Sequence, residues 1–363
     1  MRRTFRQPLE VRAMPPLRLA VDARVVADDT RGIGRYARAV LRRLAVREDV
    51  ALTLLVPGLW PERRRAAYAR ALEGGAFAIR TRPGASLDLI WHPANGTFVA
   101  STLPSVATIH DAVPFRYPDP DRKRREHAQA PFVRSARSAL RVVAVSQYGR
   151  SELERYLNVA PERIAVIPHG VDPSFSPGPA LPLPLTPPQA GYFLFVGDPI
   201  AEPRKNFPVL YEAYRRAWPD GSGPALAIAG GRAPDLPGVV FAGDLGDDLT
   251  GAQNERLRAC YRGAIALALP SYHETFGMPM LEAMACGTPV LASAASCLPE
   301  VGGDAALYLP PGDPDAWAAA LRRIAGERPL RERLRTAGIE RAAGFDWEAS
   351  ARAHLALFES VAR

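Results

Sequence analysis

Pro270-Ser271-Tyr272-His273-Glu274-Thr275-Phe276-Gly277-Met278-Pro279-Met280-Leu281-Glu282-Ala283-Met284-Ala285-Cys286-Gly287-Thr288-Pro289 is the stretch on which the reading of this chain turns. An apolar run, Ala264 to Leu269, leads into it, short enough for a buried parallel strand and ended by Pro270. Ser271 to Gly277 should then leave the carboxyl end of that strand as a loop. Pro279 suits the first position of a helix running to Cys286, because proline lacks only an N–H that has no partner there, and Gly287 ends the helix. Glu274 thus falls on the loop and Glu282 one turn inside the helix, so both carboxylates border the crevice where open α/β sheets bind ligands. The amides of Phe276, Gly277 and Met278 are expected to face outward at a positive helix end, ready for an oxygen-rich or anionic ligand. Plainer readings compete. Ser271-x-x-Glu274 also matches a capping box, although Gly277 and Pro279 would break the helix it starts, and Glu282 taken alone would serve equally by complementing the helix dipole.

Glu274-x7-Glu282, set in Glu-x-Phe-Gly-x-Pro-x-x-Glu-Ala-Met-Ala-Cys-Gly-Thr-Pro-Val, resembles the donor-site signature of retaining, nucleotide-sugar-dependent glycosyltransferases of family 4. The resemblance runs from about Leu17 to Phe358. It implies the GT-B architecture, an α/β fold of two Rossmann-like domains facing one another across a cleft, the first binding the acceptor and the second the nucleotide sugar.

Composition bounds the alternatives. A chain of 363 residues holds two domains of ordinary size, and 47% hydrophobic with 23% charged residues are globular values that exclude wholesale disorder. Cys260, Cys286 and Cys297 have no metal-binding or redox spacing, which suits a reducing compartment. No run of about 18 apolar residues occurs and the charged N-terminus has no apolar core, so neither a membrane span nor export is expected, and the cytoplasm is the expected location. The net charge of +8 is uneven, since 29 of the 46 Lys and Arg but only 17 of the 38 Asp and Glu fall at or before Ser176. Part of that excess is surface arginine kept for solubility. The rest would suit peripheral contact of the basic half with an anionic membrane leaflet or a lipid phosphate. Nucleic acid fits less well, for lack of zinc-finger spacing, an aromatic RNA-binding signature or a helix-turn-helix.

In the first half, residues 1–16 carry no periodicity and are expected to form a loose arm, with the acceptor domain spanning 17–175. Leu17 to Val21 reads as a first strand. Arg31-Gly32-Ile33-Gly34-Arg35-Tyr36 opens a helix with apolar positions at Tyr36, Val40, Leu41 and Leu44. A Gly-x-Gly by itself is more often a tight turn than a ligand loop. It resembles the Gly-Ile-Gly-Arg-Tyr loop of family members, which places Gly32 and Gly34 between donor phosphate and acceptor. Strands are expected at Ala51 to Val56, Leu87 to Trp91, Ser105 to Ile109, Arg141 to Val145 and Ile164 to Ile167, separated by helical or turn-rich segments such as Glu62 to Leu72. His110-Asp111 follows the third of these strands. An isolated histidine is usually a satisfied core residue, but family members carry His-Asp at this place with the histidine near the donor sugar. The run Asp121 to His127 opens a cationic, partly apolar helix that reads either as a solvated face or as a membrane-surface helix.

Residues 176–190 hold so many prolines that only an extended connector is expected. The donor domain spans 191–343. Gly191 to Val196 reads as a buried strand running into Gly197-Asp198, and Pro203-Arg204-Lys205-Asn206 places two cations before a helix for which Asn206 is a fair N-cap. An exposed basic pair is commonplace. Pro-Arg-Lys-Asn also matches the family's diphosphate-binding string, though Asp198 stands where some members have a further arginine. Strands at Ala225 to Ala229, Val239 to Phe241 and Val290 to Ala292, and helices at Asn254 to Tyr261, Asp313 to Ala325 and Pro329 to Ala343, complete a second Rossmann-like unit. The loop Gly243 to Gln253 is longer than in relatives. Thr275 stands where glycine is commonest, so an ordinary backbone conformation is expected there. The final helix from Trp347, within 344–363, should cross back onto the first domain.

The resemblance implies a metal-independent enzyme with no cofactor, using GDP-mannose or a UDP-sugar as donor. No Asp-x-Asp triad is found after any expected strand. Arg204 and Lys205 are assigned to the diphosphate, Glu274 and the Phe276 to Met278 amides to the sugar, Glu282 to the ribose, and Gly197 to donor binding. His110 and Asp111 are assigned to the opposite wall. A GT-B-shaped nucleotide-sugar epimerase and a non-catalytic nucleotide-sugar or nucleic-acid binder are the rivals from other classes.

Overall fold

The computed structural model describes residues 15–29, 32–58, 60–180, 191–243 and 252–363, the side chains of 252–254 excepted. Residues 1–14 of the expected arm, 181–190 of the connector and 244–251 of the long loop lie outside the described residues, as does Arg31.

Continuous apolar runs become strands buried on both faces, as helix-covered parallel sheets require. The first sheet comprises β1 (Leu17–Asp22), β2 (Val50–Leu55), β3 (Ala78–Arg80), β4 (Leu89–His92), β5 (Ser105–Thr108), β6 (Arg141–Ala144) and β7 (Ile164–Val166). Its strands lie in the order β3-β2-β1-β4-β5-β6-β7, all parallel. The second comprises β8 (Tyr192–Val196), β9 (Ala225–Ala229), β10 (Val239–Gly243), β11 (Ala266–Leu269), β12 (Val290–Ser293) and β13 (Leu307–Leu309). Here the order is β10-β9-β8-β11-β12-β13, again parallel throughout. Strand order reverses between β1 and β4 in one sheet and between β8 and β11 in the other. Those two points are where ligands bind in such folds, so the loops leaving β1, β4, β8 and β11 frame the site.

Several local expectations change. β3 and β13 are three-residue strands too short to show a period, and β3 alternates exposed, buried, exposed. The segment near Glu62 holds both of the expected kinds of structure, a tight turn at Pro61–Arg64 and then an α-helix over Arg65–Ala71. Asn206 does not cap the helix Phe207–Ala217: it takes a left-handed conformation at φ 57°, and its side chain serves elsewhere. The cationic run forms the helix Arg122–Ser138, which turns Phe132 and Ala136 inward. Arg122 pairs with Glu126, and Arg124 with Asp119, as on a solvated face.

The first core joins Leu19, Val21, Leu54 and Trp91 to Tyr36, Val40 and Leu41 of the helix Gly32–Leu44. Trp347, Ala351, Leu355 and Phe358 of the helix Trp347–Ala362 complete it, so the C-terminal helix is part of the first domain's interior. A hydrogen-bond chain threads this core. Trp91 Nε1 donates to Thr108 Oγ1 at 3.0 Å, Thr108 Oγ1 lies 2.9 Å from the Tyr36 hydroxyl, and that hydroxyl lies 2.6 Å from His354 Nε2. His354 Nδ1 sits 2.7 Å from the Ser350 carbonyl, which can only accept, so Nδ1 carries the proton and Tyr36 donates to Nε2. All three cysteines are buried and unbridged.

Candidate active site

On the second domain the site begins where β8 ends. Gly197 has φ 131°, and a Cβ there would lie 2.5 Å from Lys205 Cδ, so only glycine leaves room for the lysine stem. Asp198 accepts the amides of Ile200 and Ala201, both at 2.8 Å, which shapes the turn leading to Arg204 and Lys205. The Asn206 carboxamide donates to the carbonyls of Pro270 at 3.0 Å and Pro311 at 2.7 Å, and the Tyr272 amide donates to the Arg204 carbonyl at 2.8 Å. The loops that follow β8 and β11 are therefore stitched together.

That stitching brings Lys205 Nζ to 3.3 Å from Glu274 Oε1 and Arg204 Nη1 to 3.5 Å from Oε2. Ser271 Oγ donates to Glu274 at 3.0 Å, Ser296 Oγ accepts the Glu274 amide at 3.1 Å, and Arg204 Nη2 also meets Glu202 at 2.7 Å. The Ser271–Glu274 contact is the one a capping box would use, yet no helix starts there. Burial alone would raise the Glu274 carboxyl, but Lys205 and then Arg204, with the Ser271 hydroxyl, outweigh it and hold its pKa below the ordinary glutamate value. Lys205 and Glu274 are buried, while the Arg204 side chain keeps about a third of its surface open.

Gly277, at φ 75°, precedes the helix Met278–Ala285, and Pro279 falls in its first turn. Thr275 avoids positive φ, as its branched side chain requires. Phe276 is an anchor rather than a lining residue, with its ring 4.6 Å from that of His169 and 5.8 Å from that of Phe345. Met278 lies half-buried between the two domain cores. Glu282 does not present a bare carboxylate to the cleft. One of its oxygens is held by Arg35 from the first domain and the other accepts from the buried Tyr261 hydroxyl at 3.0 Å.

Across the cleft, a Cβ at Gly34 would fall 1.7 Å from the Asp29 carbonyl, so this glycine is fixed by backbone approach, whereas Gly32 faces open space. His110 is sealed behind the wall. Its Nε2 meets the Pro93 carbonyl at 2.8 Å, its ring stands edge-on to Tyr36 at 4.7 Å, and burial lowers its pKa, leaving it neutral at pH 7. Asn95, a residue that sequence reasoning missed, orients the pair His110-Asp111. Its Oδ1 accepts the His110 amide at 2.6 Å, and its Nδ2 donates to Asp111 Oδ2 at 3.1 Å. It does so from a left-handed conformation at φ 36°, which asparagine tolerates better than most residues.

Between the walls lies a pocket of about 330 Å³ lined by Asn95, Asp111, Val113, Pro114 and Phe132 from one side and Arg204, His273, Glu274 and Thr275 from the other. Arg204, Glu274 and Asp111 thus share one space, with Lys205 directly behind Glu274. Glu282, Phe276, Gly32 and Gly34 lie outside it. One sequence expectation about metal sites needs correction. Asp313-Pro-Asp315 does follow a strand, the short β13, but Asp313 caps the helix Pro314–Gly326 through the amides of Asp315 and Ala316, and Asp315 pairs with Arg216. Among the described residues no three His, Cys, Asp or Glu side chains gather as metal ligands would.

Comparison with known proteins matches both halves. Residues 190–327 fit the model of glycosyl transferases group 1, and residues 30–175 fit that of glycosyltransferase family 4. O-antigen chain mannosyltransferase B of Escherichia coli is 28% identical over 365 residues, covering 87% of this chain and 93% of that protein. D-inositol 3-phosphate glycosyltransferase of Frankia alni is 34% identical over 238 residues, which take in 58% of this chain and 56% of that protein, little more than half its length. In fold, sucrose-phosphate synthase of Thermosynechococcus elongatus superposes with a TM-score of 0.66 at 19% identity, covering 95% of this chain and 98% of that one. HepE of Anabaena, solved with UDP and glucose, gives 0.66 at 16% identity, covering 94% and 99%.

Proposed function

The chain belongs to the glycosyltransferases, a family 4 domain followed by a group 1 domain on the GT-B architecture, and from that premise we propose that it transfers a hexose with retention of configuration. The donor is a nucleoside diphosphate sugar, GDP-mannose or a UDP-sugar, used without a divalent metal. The acceptor is a glycan or lipid-linked saccharide of the kind built in cell-surface polysaccharide or glycolipid synthesis. Support for the acceptor class comes from the O-antigen mannosyltransferase relative, and for a nucleotide donor from the UDP-bound HepE structure. Three unbridged cysteines suit a cytoplasmic location.

The observation that carries the proposal is the convergence of Arg204 and Lys205 on Glu274 at the carboxyl ends of β8 and β11. In transfer the bond between the anomeric carbon and the phosphate oxygen breaks, and its electron pair leaves with the nucleoside diphosphate. Arg204 and Lys205 offset that charge as it develops, an effect of about 3 kcal/mol for a single preorganised donor. The acceptor hydroxyl attacks on the face that the phosphate leaves, and its proton passes to the departing phosphate oxygen, so no protein nucleophile is required. Glu274 and the Phe276 to Met278 amides hold the sugar, Glu282 takes the ribose hydroxyls in place of Arg35, and Asp111 bounds the sugar and acceptor with neutral His110 packed behind it.

A thermal-shift panel of nucleotide sugars identifies the donor, because a ligand at about 100 times its dissociation constant adds roughly 2.7 kcal/mol. Proton NMR of the first-formed product then reads the anomer, and an inverted product refutes the mechanism. Conversion of donor alone into an epimer would favour the rival enzyme class. If the acceptor is lipid-linked, the helix Arg122–Ser138 should meet an anionic surface, which sedimentation with anionic and neutral vesicles checks.

A further inference from the structure

Of the contacts across the cleft, one group converges on the loop that carries Glu274. All of its first-domain members lie on or beside the helix Gln147–Leu157. Ser146 Oγ donates to the Thr275 carbonyl at 2.6 Å while accepting the Gly149 amide at 2.9 Å. Glu152 Oε1 and Oε2 lie 2.9 and 3.0 Å from His273 Nε2, with both side chains buried. Tyr148 donates to Glu152 at 3.1 Å, and Arg116 stands 3.5 Å from it, so the carboxylate is oriented from its own domain. Residues 273 and 275 flank Glu274 on either side.

The same helix is grasped at its start. Gln147 and Tyr148 donate their amides to Glu300 of the second domain at 2.7 and 3.0 Å. A helix leaves its first amides without internal partners, and a carboxylate there also complements the positive dipole end. Ser146 satisfies one such amide locally, whereas two depend on the opposite domain. On opening, both the amides and Glu300 can return to water. A polar contact of this kind suits a joint that opens and closes better than a permanent apolar interface does.

We propose that the helix Gln147–Leu157 is the closing clasp of the enzyme, with Glu152, Ser146 and Glu300 acting as positioning residues that set the Glu274 loop for transfer. The proposal rests on the reading of Glu274 as a sugar-holding residue. It makes domain closure and donor-site geometry one event, since the bonds that shut the cleft hold the residues on either side of Glu274.

Glu300→Ala tests it with the least disturbance, because Glu300 is exposed. Glu152→Gln is the second variant, keeping an acceptor oxygen for Tyr148. Three quantities are measured on the full chain. They are solution scattering without ligand, UDP and GDP affinity by calorimetry, and kcat for nucleoside diphosphate release from UDP-glucose or GDP-mannose, whichever the wild type turns over. In the variants, expansion relative to wild type, nucleotide affinity within about twofold, and kcat lowered tenfold or more are expected, with Glu152→Gln less affected than Glu152→Ala. Scattering that superposes on wild type overturns the clasp, as does a kcat within twofold of it. Parallel loss of kcat, nucleotide affinity and melting temperature would mark a merely structural role and also overturn it. If the wild type turns over neither donor, the choice of donor sugar is what fails, and the scattering comparison still decides the clasp.

Discussion

Arg35 reaches across the cleft to form an ion pair with Glu282, a residue 247 positions away on the site helix of the other domain. The Glu282 side chain is 3% exposed and that of Arg35 27%, so a nucleotide whose ribose uses Glu282 has to displace a partly open guanidinium. Glu282→Ala is expected to weaken nucleoside diphosphate binding by about 1.5 to 3 kcal/mol, the range for hydrogen bonds to a charged group. Arg35→Ala should tighten it, by up to about tenfold, because the buried carboxylate loses its competitor and gains from a new partner, while the unliganded protein becomes less stable. Calorimetry with UDP and GDP reads both. Weaker binding in Arg35→Ala would place Arg35 on the phosphates and reverse its role.

Asn95 ties the first wall of the pocket together, with His110 on one end of its carboxamide and Asp111 on the other. Asn95→Ala should lower kcat/KM by about tenfold, close to the 1.4 kcal/mol of one lost hydrogen bond. Asn95→Gly relieves the left-handed backbone without restoring either bond, so it should be as slow as the alanine variant although more stable. Recovery of activity in Asn95→Gly would show that backbone strain, not the carboxamide, sets this wall.

Acid should loosen the first domain through His354. Burial, opposed by the Ser350 carbonyl and aided by nearby His110, lowers its pKa from 6.5 to about 4. Protonating Nε2 would also set it against the hydroxyl proton of Tyr36. Because the folded-state pKa is the lower one, the stability His354 contributes is fully present above about pH 6.5 and is lost as pH falls towards 4. The amount is about 3 kcal/mol at roughly 1.36 kcal/mol per pH unit. His110 and His169, also buried with lowered pKa values, slope the same way. Denaturant unfolding at pH 7, 5.5 and 4.5 should show stability falling with acid, and more shallowly in His354→Gln by up to one proton. Equal slopes in the two proteins would remove His354 from the account.

The architecture was legible because parallel strands buried on both faces read as unbroken apolar runs: Tyr192–Val196 and Ala225–Ala229 are buried at every position. The convergence of Arg204 and Lys205 on Glu274 was legible because all three lie on one domain, in short segments whose turns are set by local residues such as Gly197 and Gly277. What the sequence does not carry is pairing between distant segments. Arg35 with Glu282, Glu152 with His273 and Ser146 with Thr275 join residues more than 100 positions apart, and nothing in either segment's composition names its partner. Asn206 was misread for the opposite reason. Its type suits an N-cap, but the turn Pro203–Lys205 delivers it in a left-handed conformation from which its carboxamide bridges the Pro270 and Pro311 carbonyls.

Lys205 is the residue whose loss should cost most, and the geometry around it separates charge from position. It sits against Glu274 with its stem pressed on Gly197, so the ammonium has one place to be. Lys205→Ala removes the preorganised charge proposed to offset the leaving phosphate and should lower kcat by about 10² to 10³. It also leaves Glu274 buried beside Arg204 alone, which stands 3.5 Å away with Glu202 as a second partner, so some loss of melting temperature is expected as well. Gly197→Ala keeps the charge and moves it. The added methyl would fall 2.5 Å from Lys205 Cδ on a backbone at φ 131°, and the lysine must shift to accommodate it. If position matters as charge does, Gly197→Ala should lose at least tenfold in kcat with a smaller change in donor KM, because the sugar and ribose contacts survive. Single-turnover rates with saturating donor are the deciding measurement. A Gly197→Ala enzyme as fast as wild type would mean that the phosphate needs only a nearby cation and that the fixed position of Lys205 does not set the rate.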